Sequence, residues 1–225
     1  MQMLQSSIGR KLVMAATGLC LVGFVLVHLL GNSSIFIGPD GINAYAEHLH
    51  ALGPLVWIFR IVLLGLFGLH ILFGIQLTLE NRAARPIDYN QKKNIRTTFG
   101  AETMIYTGLV ILAFVVYHLF HFTMHVTNPE ISASVLPLDA VGRSDVFTMM
   151  VLSFQKFFIS AVYAGAMAAL LLHLSHGVQS LFQTFGVLNG NTLPVMEKIA
   201  RAAAIVIFVG FVSIPVSILL GLINV

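Results

Sequence analysis

The chain has 225 residues, of which 57% are hydrophobic and only 9% are charged, and its formal net charge is +3. Soluble domains carry about 25% charged residues, so this composition excludes a soluble globular protein and predicts an integral membrane protein. The single cysteine, Cys20, excludes a disulfide framework and a cysteine-based zinc site. We expect one membrane domain over residues 1–225, in contact with membrane lipid and with no nucleic-acid partner.

Five apolar segments reach the length of about 20 residues that a helix needs to cross a bilayer. The first lies close to Met1 but lacks a cleavage site of the A-x-A kind, so we expect it to be retained. The predicted fold class is therefore all-α, an integral membrane bundle of five transmembrane helices. The predicted spans are residues 12–30, 55–79, 104–126, 154–185 and 199–223.

Basic residues are unevenly divided between the two sides of this predicted bundle. Nine fall on the side of the N-terminus and three, Arg60, Arg143 and Lys156, on the other. Because cytoplasmic loops carry an excess of Lys and Arg, we expect a cytoplasmic N-terminus and an external C-terminus. The basic segment 82–96 either sets this topology alone or docks a cytoplasmic partner. On the outer side, residues 43–52 have helical spacing and are expected to lie along the interface.

Histidines lie well inside four of the five spans, where an unpartnered imidazole is costly. With a rise of about 1.5 Å per residue, His28 and His118 lie about 24 and 21 Å from the inner ends of their spans. His70 and His176 each lie about 14 Å from the inner end. Depth alone therefore pairs His28 with His118 near the outside and His70 with His176 near the inside.

Two bis-imidazole sites stacked across a membrane are what two b-type haems require, because each iron takes one nitrogen from each of two facing helices. Without a C-x-x-C-H sequence the haems are expected to be non-covalent. Zinc is a weaker interpretation, since neither level offers four ligands, and a histidine-based proton or metal transporter is an alternative of another class. Glycines near the histidines either leave room for the macrocycle or allow close helix packing: Gly23, Gly65, Gly68, Gly74, Gly108, Gly165 and Gly177.

The other histidines are given different roles. His173 and His121 are each three residues from a proposed ligand, about 60° round the helix, and are interpreted as hydrogen-bonding residues. His125 is predicted at the outer water boundary, where it contacts a propionate or quinone or is simply solvated. Quinone chemistry needs titratable groups at that surface, and the candidates are Glu47, His48, His50 and His125.

Four segments carry a family resemblance: residues 9–18 leading to His28, His70 followed by residues 81–89, residues 116–120 around His118, and residues 175–182 around His176. Together they span nearly the whole chain. On these residues the chain resembles the dihaem cytochrome b membrane anchor of succinate:quinone oxidoreductases, the succinate dehydrogenases and fumarate reductases.

The resemblance implies two haems b with His28, His118, His70 and His176 as axial ligands, and a quinone, usually menaquinone, as electron donor or acceptor. It also implies a cytoplasmic iron-sulfur subunit on the inner face, joined to a flavoprotein that interconverts succinate and fumarate. The chain would then be the quinone-reactive subunit of a respiratory complex in a prokaryotic cytoplasmic membrane, linked to the tricarboxylic acid cycle. The chain departs from the resemblance in one place. Some fumarate reductases look to have an acidic residue two positions before the last ligand, and here that position is Leu174. The haem subunit of a nitrate reductase or hydrogenase is the nearest alternative.

Overall fold

The computed structural model describes residues 6–84 and 97–225, and within them every regular element is helical. Most of the basic segment 82–96 therefore lies outside the described residues. Five of the described helices are long and apolar enough to cross a membrane, which establishes an all-α bundle compatible with a multi-pass membrane protein. The α-helices are α1 Ser7–Ser33, α2 Pro39–Ala51, α3 Pro54–Ala83, α4 Phe99–Glu102, α5 Met104–His118, α6 Val146–Phe154, α7 Phe157–Thr184 and α8 Leu193–Leu219.

Local sequence signals set the helix starts. The Ser6 hydroxyl accepts a hydrogen bond from the backbone N–H of Gly9 at 3.0 Å and caps α1. Proline occupies the first turn of α2, α3 and α8, where a missing N–H costs nothing. α5 continues into a π-helical turn, Leu119–Thr123, that ends the third predicted span earlier than residue 126.

The long helices run antiparallel to their neighbours in the chain. Arg10 near the start of α1 forms a 2.9 Å ion pair with Glu80 near the end of α3, so these two ends lie together. We call this the N-terminal end of the bundle and the other the opposite end. α1 packs against α3 and α7, and α5 packs against α7, so four helices enclose a central space.

The fifth long helix, α8, packs along α7 and touches α1. Gly210 makes this approach possible, because a Cβ there would lie 2.9 Å from the side chain of Leu29. A larger residue at position 210 would push the two helices apart. Large apolar side chains on the outer surfaces are widely exposed, as expected for helices that face lipid.

The predicted fourth span, 154–185, corresponds to α7, and the short helix α6 that precedes it was not predicted. α6 ends at Phe154, the chain turns at Gln155 and Lys156, and α7 starts at Phe157. The Ser160 hydroxyl donates to the Phe154 carbonyl at 2.5 Å, which satisfies a carbonyl freed by the break. α6 packs against α2, α7 and α8 and buries Val151 completely, so it closes the opposite end of the bundle.

A polar network holds this closure in place. Asn43, fully buried on α2, donates to Asp139 and Asp145 and accepts from the backbone N–H of Phe147 at 2.9 Å. Arg143 pairs with Asp139 at 2.7 Å and with Asp40 at 2.6 Å. Although partial desolvation opposes the charged form, the hydrogen bonds from Arg143 and Asn43 lower the pKa of Asp139 to about 2. The carboxylate therefore stays charged and joins Asn43 and Arg143 at the opposite end of the bundle.

Candidate functional site: two facing histidine pairs in one cavity

A single large cavity runs through the middle of the four-helix arrangement. Its volume is about 2410 Å³, well above the roughly 300–1,000 Å³ of ordinary ligand pockets. Its walls are mostly apolar, and it reaches Lys11 and Arg82 at the N-terminal end and His50 and Arg60 at the opposite end. Seven histidines line it: His28, His70, His118, His173 and His176 along its length, and His50 and His125 at the opposite end.

His28 on α1 and His118 on α5 face each other across the cavity near its opposite end. Their ring centroids are 5.9 Å apart and the ring planes are nearly perpendicular, at 85°. One turn earlier on each helix, Phe24 stacks on His28 at 5.4 Å and Phe114 lies 5.8 Å from His118. The structure thus brings together the two histidines that residue counting places at one depth.

The second pair of facing rings lies nearer the N-terminal end and is called the inner level, as in the sequence prediction. Its members differ from those predicted. The ring that faces His70 belongs to His173, with centroids 6.3 Å apart and planes at 66°. His176 also lines the cavity, but in the described residues its ring makes no contact with His70, and its Nδ1 is buried without a hydrogen-bond partner. The ring opposite His70 is therefore that of His173 and not that of His176, because within one helical turn only one of the two imidazoles reaches the face opposite α3. The binding of a metal by His176 stays a prediction.

The spacing of both pairs suits a metal between them. An iron held by two imidazoles needs ring centroids about 6.2 Å apart, because an iron–nitrogen bond is about 2.0 Å and the ring centre lies about 1.1 Å behind the nitrogen. The observed separations are 5.9 and 6.3 Å. In the described part of the chain, the hydrogen bonds of His70 and His118 are made through Nδ1, so Nε2 is left for a ligand in the cavity.

Neighbouring polar groups fix the orientation of the two imidazoles nearer the N-terminal end, those of His70 and His173. Nδ1 of His70 lies 3.3 Å from the Met14 carbonyl and 3.4 Å from the Thr17 hydroxyl. Nδ1 of His173 lies 3.3 Å from the Thr107 hydroxyl. With a proton on Nδ1, each ring presents the lone pair of Nε2 to the cavity.

The tyrosine Tyr163 on α7 connects two histidines at the other level. Its hydroxyl lies 3.2 Å from Nδ1 of His118 and 2.9 Å from Nδ1 of His121. His121 is 3% exposed and does not line the cavity, so its contact with Tyr163 agrees with the predicted hydrogen-bonding role. His173, predicted to have the same role, instead faces the cavity beside His70.

Only some of the predicted glycines border the cavity. Gly74, Gly108 and Gly177 line it, as does Gly18, which the sequence prediction omitted. The remaining four do not line it, and a Cβ added to any of them would meet nothing within 4 Å: Gly23, Gly65, Gly68 and Gly165.

The four predicted quinone or proton candidates do not form one group. His50 and His125 line the opposite end of the cavity, whereas Glu47 and His48 are exposed on α2 and do not border it. His125 has an unusual backbone φ of 54° and a buried Nδ1 without a hydrogen-bond partner.

A sequence repeat explains why His173, not His176, faces His70. The pattern M-x-x-T-G-L, followed by F-V-x-x-H-L, occurs at 14–29 and again 90 positions later at 104–119, which makes His118 the counterpart of His28. The pattern H-x-x-x-G-x-Q occurs at 70–76 and again 103 positions later at 173–179. His173 is therefore the counterpart of His70, while His176 corresponds to Phe73. This repeat is the signal that depth counting missed.

Among the described residues no cluster of three or more His, Cys, Asp or Glu side chains is arranged to hold a metal ion. The histidines are grouped in twos, an arrangement that suits a metal whose other ligands come from a cofactor. Comparisons with known protein families, curated proteins and solved structures find no match to this chain.

Proposed function

We propose that the chain is the dihaem cytochrome b anchor of a succinate:quinone oxidoreductase. It would relay electrons between a cytoplasmic iron-sulfur subunit and a membrane quinone such as menaquinone. The observation that carries the proposal is the presence of two facing imidazole pairs, at 5.9 and 6.3 Å, at two levels of one cavity. The family resemblance of the segments around these histidines adds the identity of the partners.

The axial ligands in this proposal are His28 with His118 and His70 with His173, so that each level takes one nitrogen from each side of the cavity. Bis-imidazole haem b supplies one-electron transfer. The protein supplies the orientation of the imidazoles through Nδ1, an apolar wall that excludes water, and the distance between the two levels. Because His173 replaces His176, the position two residues before the last ligand becomes Leu171, which is as apolar as Leu174.

Side chains that can donate hydrogen bonds lie at both ends of the cavity, which suits the carboxylates that a haem carries. Lys11 and Arg82 line the N-terminal end, and His50, Arg60 and His125 line the opposite end. Ion pairs and hydrogen bonds with these groups would hold each macrocycle with its polar edge toward water, because carboxylates are poorly tolerated in hydrocarbon. The same opposite-end groups are the candidates for proton exchange with a quinone.

The N-terminal end is the proposed cytoplasmic side, where the soluble subunits dock. Lys11 and Arg82 lie at this end, and Lys198 and Arg201 lie in the early turns of α8, which the sequence places on the same side. A basic surface favours an acidic partner and speeds its association. The basic segment 82–96 is the proposed docking segment. Its proposed partner is the iron-sulfur subunit, to which the flavoprotein would be joined.

The proposal is tested by purifying the chain in detergent together with whatever proteins accompany it. Pyridine haemochrome analysis is expected to give two non-covalent haems b per chain, both extracted by acid acetone. Assays in both directions should show succinate-dependent quinone reduction or quinol-dependent fumarate reduction by the assembled complex.

The outcome separates the competing functions. A colourless protein would eliminate every haem-based assignment and leave the histidine-based transporter. Two haems with a molybdenum-containing or nickel-containing partner would instead identify the membrane subunit of a nitrate reductase or a hydrogenase. Two haems with an iron-sulfur subunit and a flavoprotein are the expected result.

A further inference from the structure

We infer that Thr17 and Thr107 are matched positioning residues for the two inner imidazoles, holding the Nδ1 proton of His70 and His173 and thereby tuning the electron affinity of the inner level. This inference rests on the proposed function, because it presumes that Nε2 of both histidines binds iron. It goes beyond that function by assigning a role to four residues, the dipeptides Thr17-Gly18 and Thr107-Gly108.

The α1 contact has the geometry of a hydrogen-bond acceptor for imidazole. The Thr17 hydroxyl donates to the Val13 carbonyl at 2.8 Å, so its proton is used within the helix and its lone pairs face away. Nδ1 of His70 lies 3.4 Å from this oxygen and 3.3 Å from the Met14 carbonyl. Both neighbours are acceptors, so they favour the tautomer with the proton on Nδ1.

The α5 contact repeats this geometry with different helices. The Thr107 hydroxyl donates to the Thr103 carbonyl at 3.1 Å, and Nδ1 of His173 lies 3.3 Å from the hydroxyl oxygen. Each inner histidine is therefore held by the helix that carries an outer histidine.

The glycine after each threonine lets the ring lie against that helix. A Cβ on Gly18 would lie 3.3 Å from Cε1 of His70, and a Cβ on Gly108 would lie 3.5 Å from Cε1 of His173. Both threonines are also buried, at 4% and 6% exposure. The Thr-Gly dipeptide thus supplies an acceptor and a clearance at once.

Threonines inside helices commonly bond to their own helix and nothing else. Thr103, between α4 and α5, is an example, because its hydroxyl donates to the Phe99 carbonyl at 2.8 Å and it does not line the cavity. Thr17 and Thr107 differ from it in being buried and in having an imidazole nitrogen within 3.4 Å. Thr103 is therefore the control.

The test compares Thr17→Val and Thr107→Val with Thr103→Val in the purified full complex by redox titration of haem absorbance. A hydrogen bond from Nδ1–H makes the imidazole a stronger donor to iron and favours the oxidised state. Each of the first two variants should therefore raise the reduction equilibrium constant of the inner level about threefold, which is about 28 mV at 59 mV per factor of ten. The double variant should give about ninefold, because the two residues contact different rings.

The outer haem should titrate as in the unmodified complex in every variant, and both haems should do so in Thr103→Val. Thr17→Ser should keep the original potential of the inner haem. Gly18→Ala, compared with Gly23→Ala, should alter the low-spin electron paramagnetic resonance signal of the inner level only. If the unmodified protein holds two haems and Thr17→Val and Thr107→Val leave both potentials unchanged, the inference is wrong and the proposed function stands. If the unmodified protein holds no haem, both are wrong.

Discussion

The choice between His173 and His176 as the partner of His70 has a clear experimental test. Three residues of helix advance about 4.5 Å and turn the side chain by about 300°, which is 60° from the starting direction. A ring at position 176 cannot occupy the place of His173, 6.3 Å from His70, unless α7 rotates about its axis. Such a rotation is opposed by the close packing of α7 against α8 and α5.

The variants are His173→Leu and His176→Leu, which remove an imidazole at similar volume. Loss of a group that hydrogen-bonds to a metal ligand costs about 10–100-fold in metal affinity. Loss of the ligand itself costs more, so the inner site of His173→Leu should lose its haem. Pyridine haemochrome analysis should fall from two haems per chain to one in His173→Leu and stay at two in His176→Leu.

Redox titration of haem absorbance then shows which of the two haems is lost. The component missing from His173→Leu should be the one missing from a His70 variant, while His28 and His118 variants should lack the other. Retention of both haems in His173→Leu, together with loss of one in His176→Leu, would refute the facing-ring argument and restore the pairing by depth alone.

Three further outcomes follow from contacts at the opposite end. Tyr163→Phe removes the hydroxyl 3.2 Å from Nδ1 of His118 and should raise the reduction constant of the outer level by up to about tenfold, or 59 mV, as measured by redox titration. Gly31→Ala places a Cβ against the ring of Tyr45 and should lower stability by about 1–3 kcal/mol, as measured by thermal unfolding in detergent. The pKa of Asp139, about 2 when folded against 3.8 ordinarily, predicts stability that is present above pH 4 and lost as pH falls toward 2, because protonation then favours the unfolded chain.

Each of these outcomes has a matched control. The inner level should be unchanged in Tyr163→Phe, and Gly23→Ala should unfold near the original temperature because no atom lies within 4 Å of the added Cβ. Asp139→Asn should flatten the acid dependence. An equal loss of stability in both glycine variants would point to a general helix effect and contradict the Tyr45 contact.

Hydrophobicity and spacing were sufficient to predict most of the fold. The five long helices and the outer helix α2 lie where the apolar runs and the spacing of residues 43–52 indicate. The short helix α6 was missed because its nine residues are too few to cross a bilayer and so were not counted as a span. Only the burial of α6 against three other helices shows that it belongs to the closure of the bundle.

The site shows what residue counting measures and what it does not. Depth follows from a constant rise per residue, which is why His28 and His118 were brought together correctly as neighbours. Direction around the helix axis needs a second reference, and a hydropathy profile does not contain it. The internal repeat does, because it links His173 to His70 through the glycine and glutamine that follow each of them.

The two halves of the repeat match well around the inner histidines and poorly around the outer ones. At the inner level the two rings have equivalent supports, because a threonine hydroxyl lies beside Nδ1 of each. At the outer level the supports diverge: Asn32 beside His28 corresponds to Phe122, and Tyr163 beside His118 corresponds to Arg60.

The repeat relates the two imidazoles within each level and does not relate one level to the other. On the proposed function, matched supports at the inner level favour two ligands of equal donor strength for the inner haem. The supports at the outer level have diverged, so the two ligands of the outer haem would differ in donor strength.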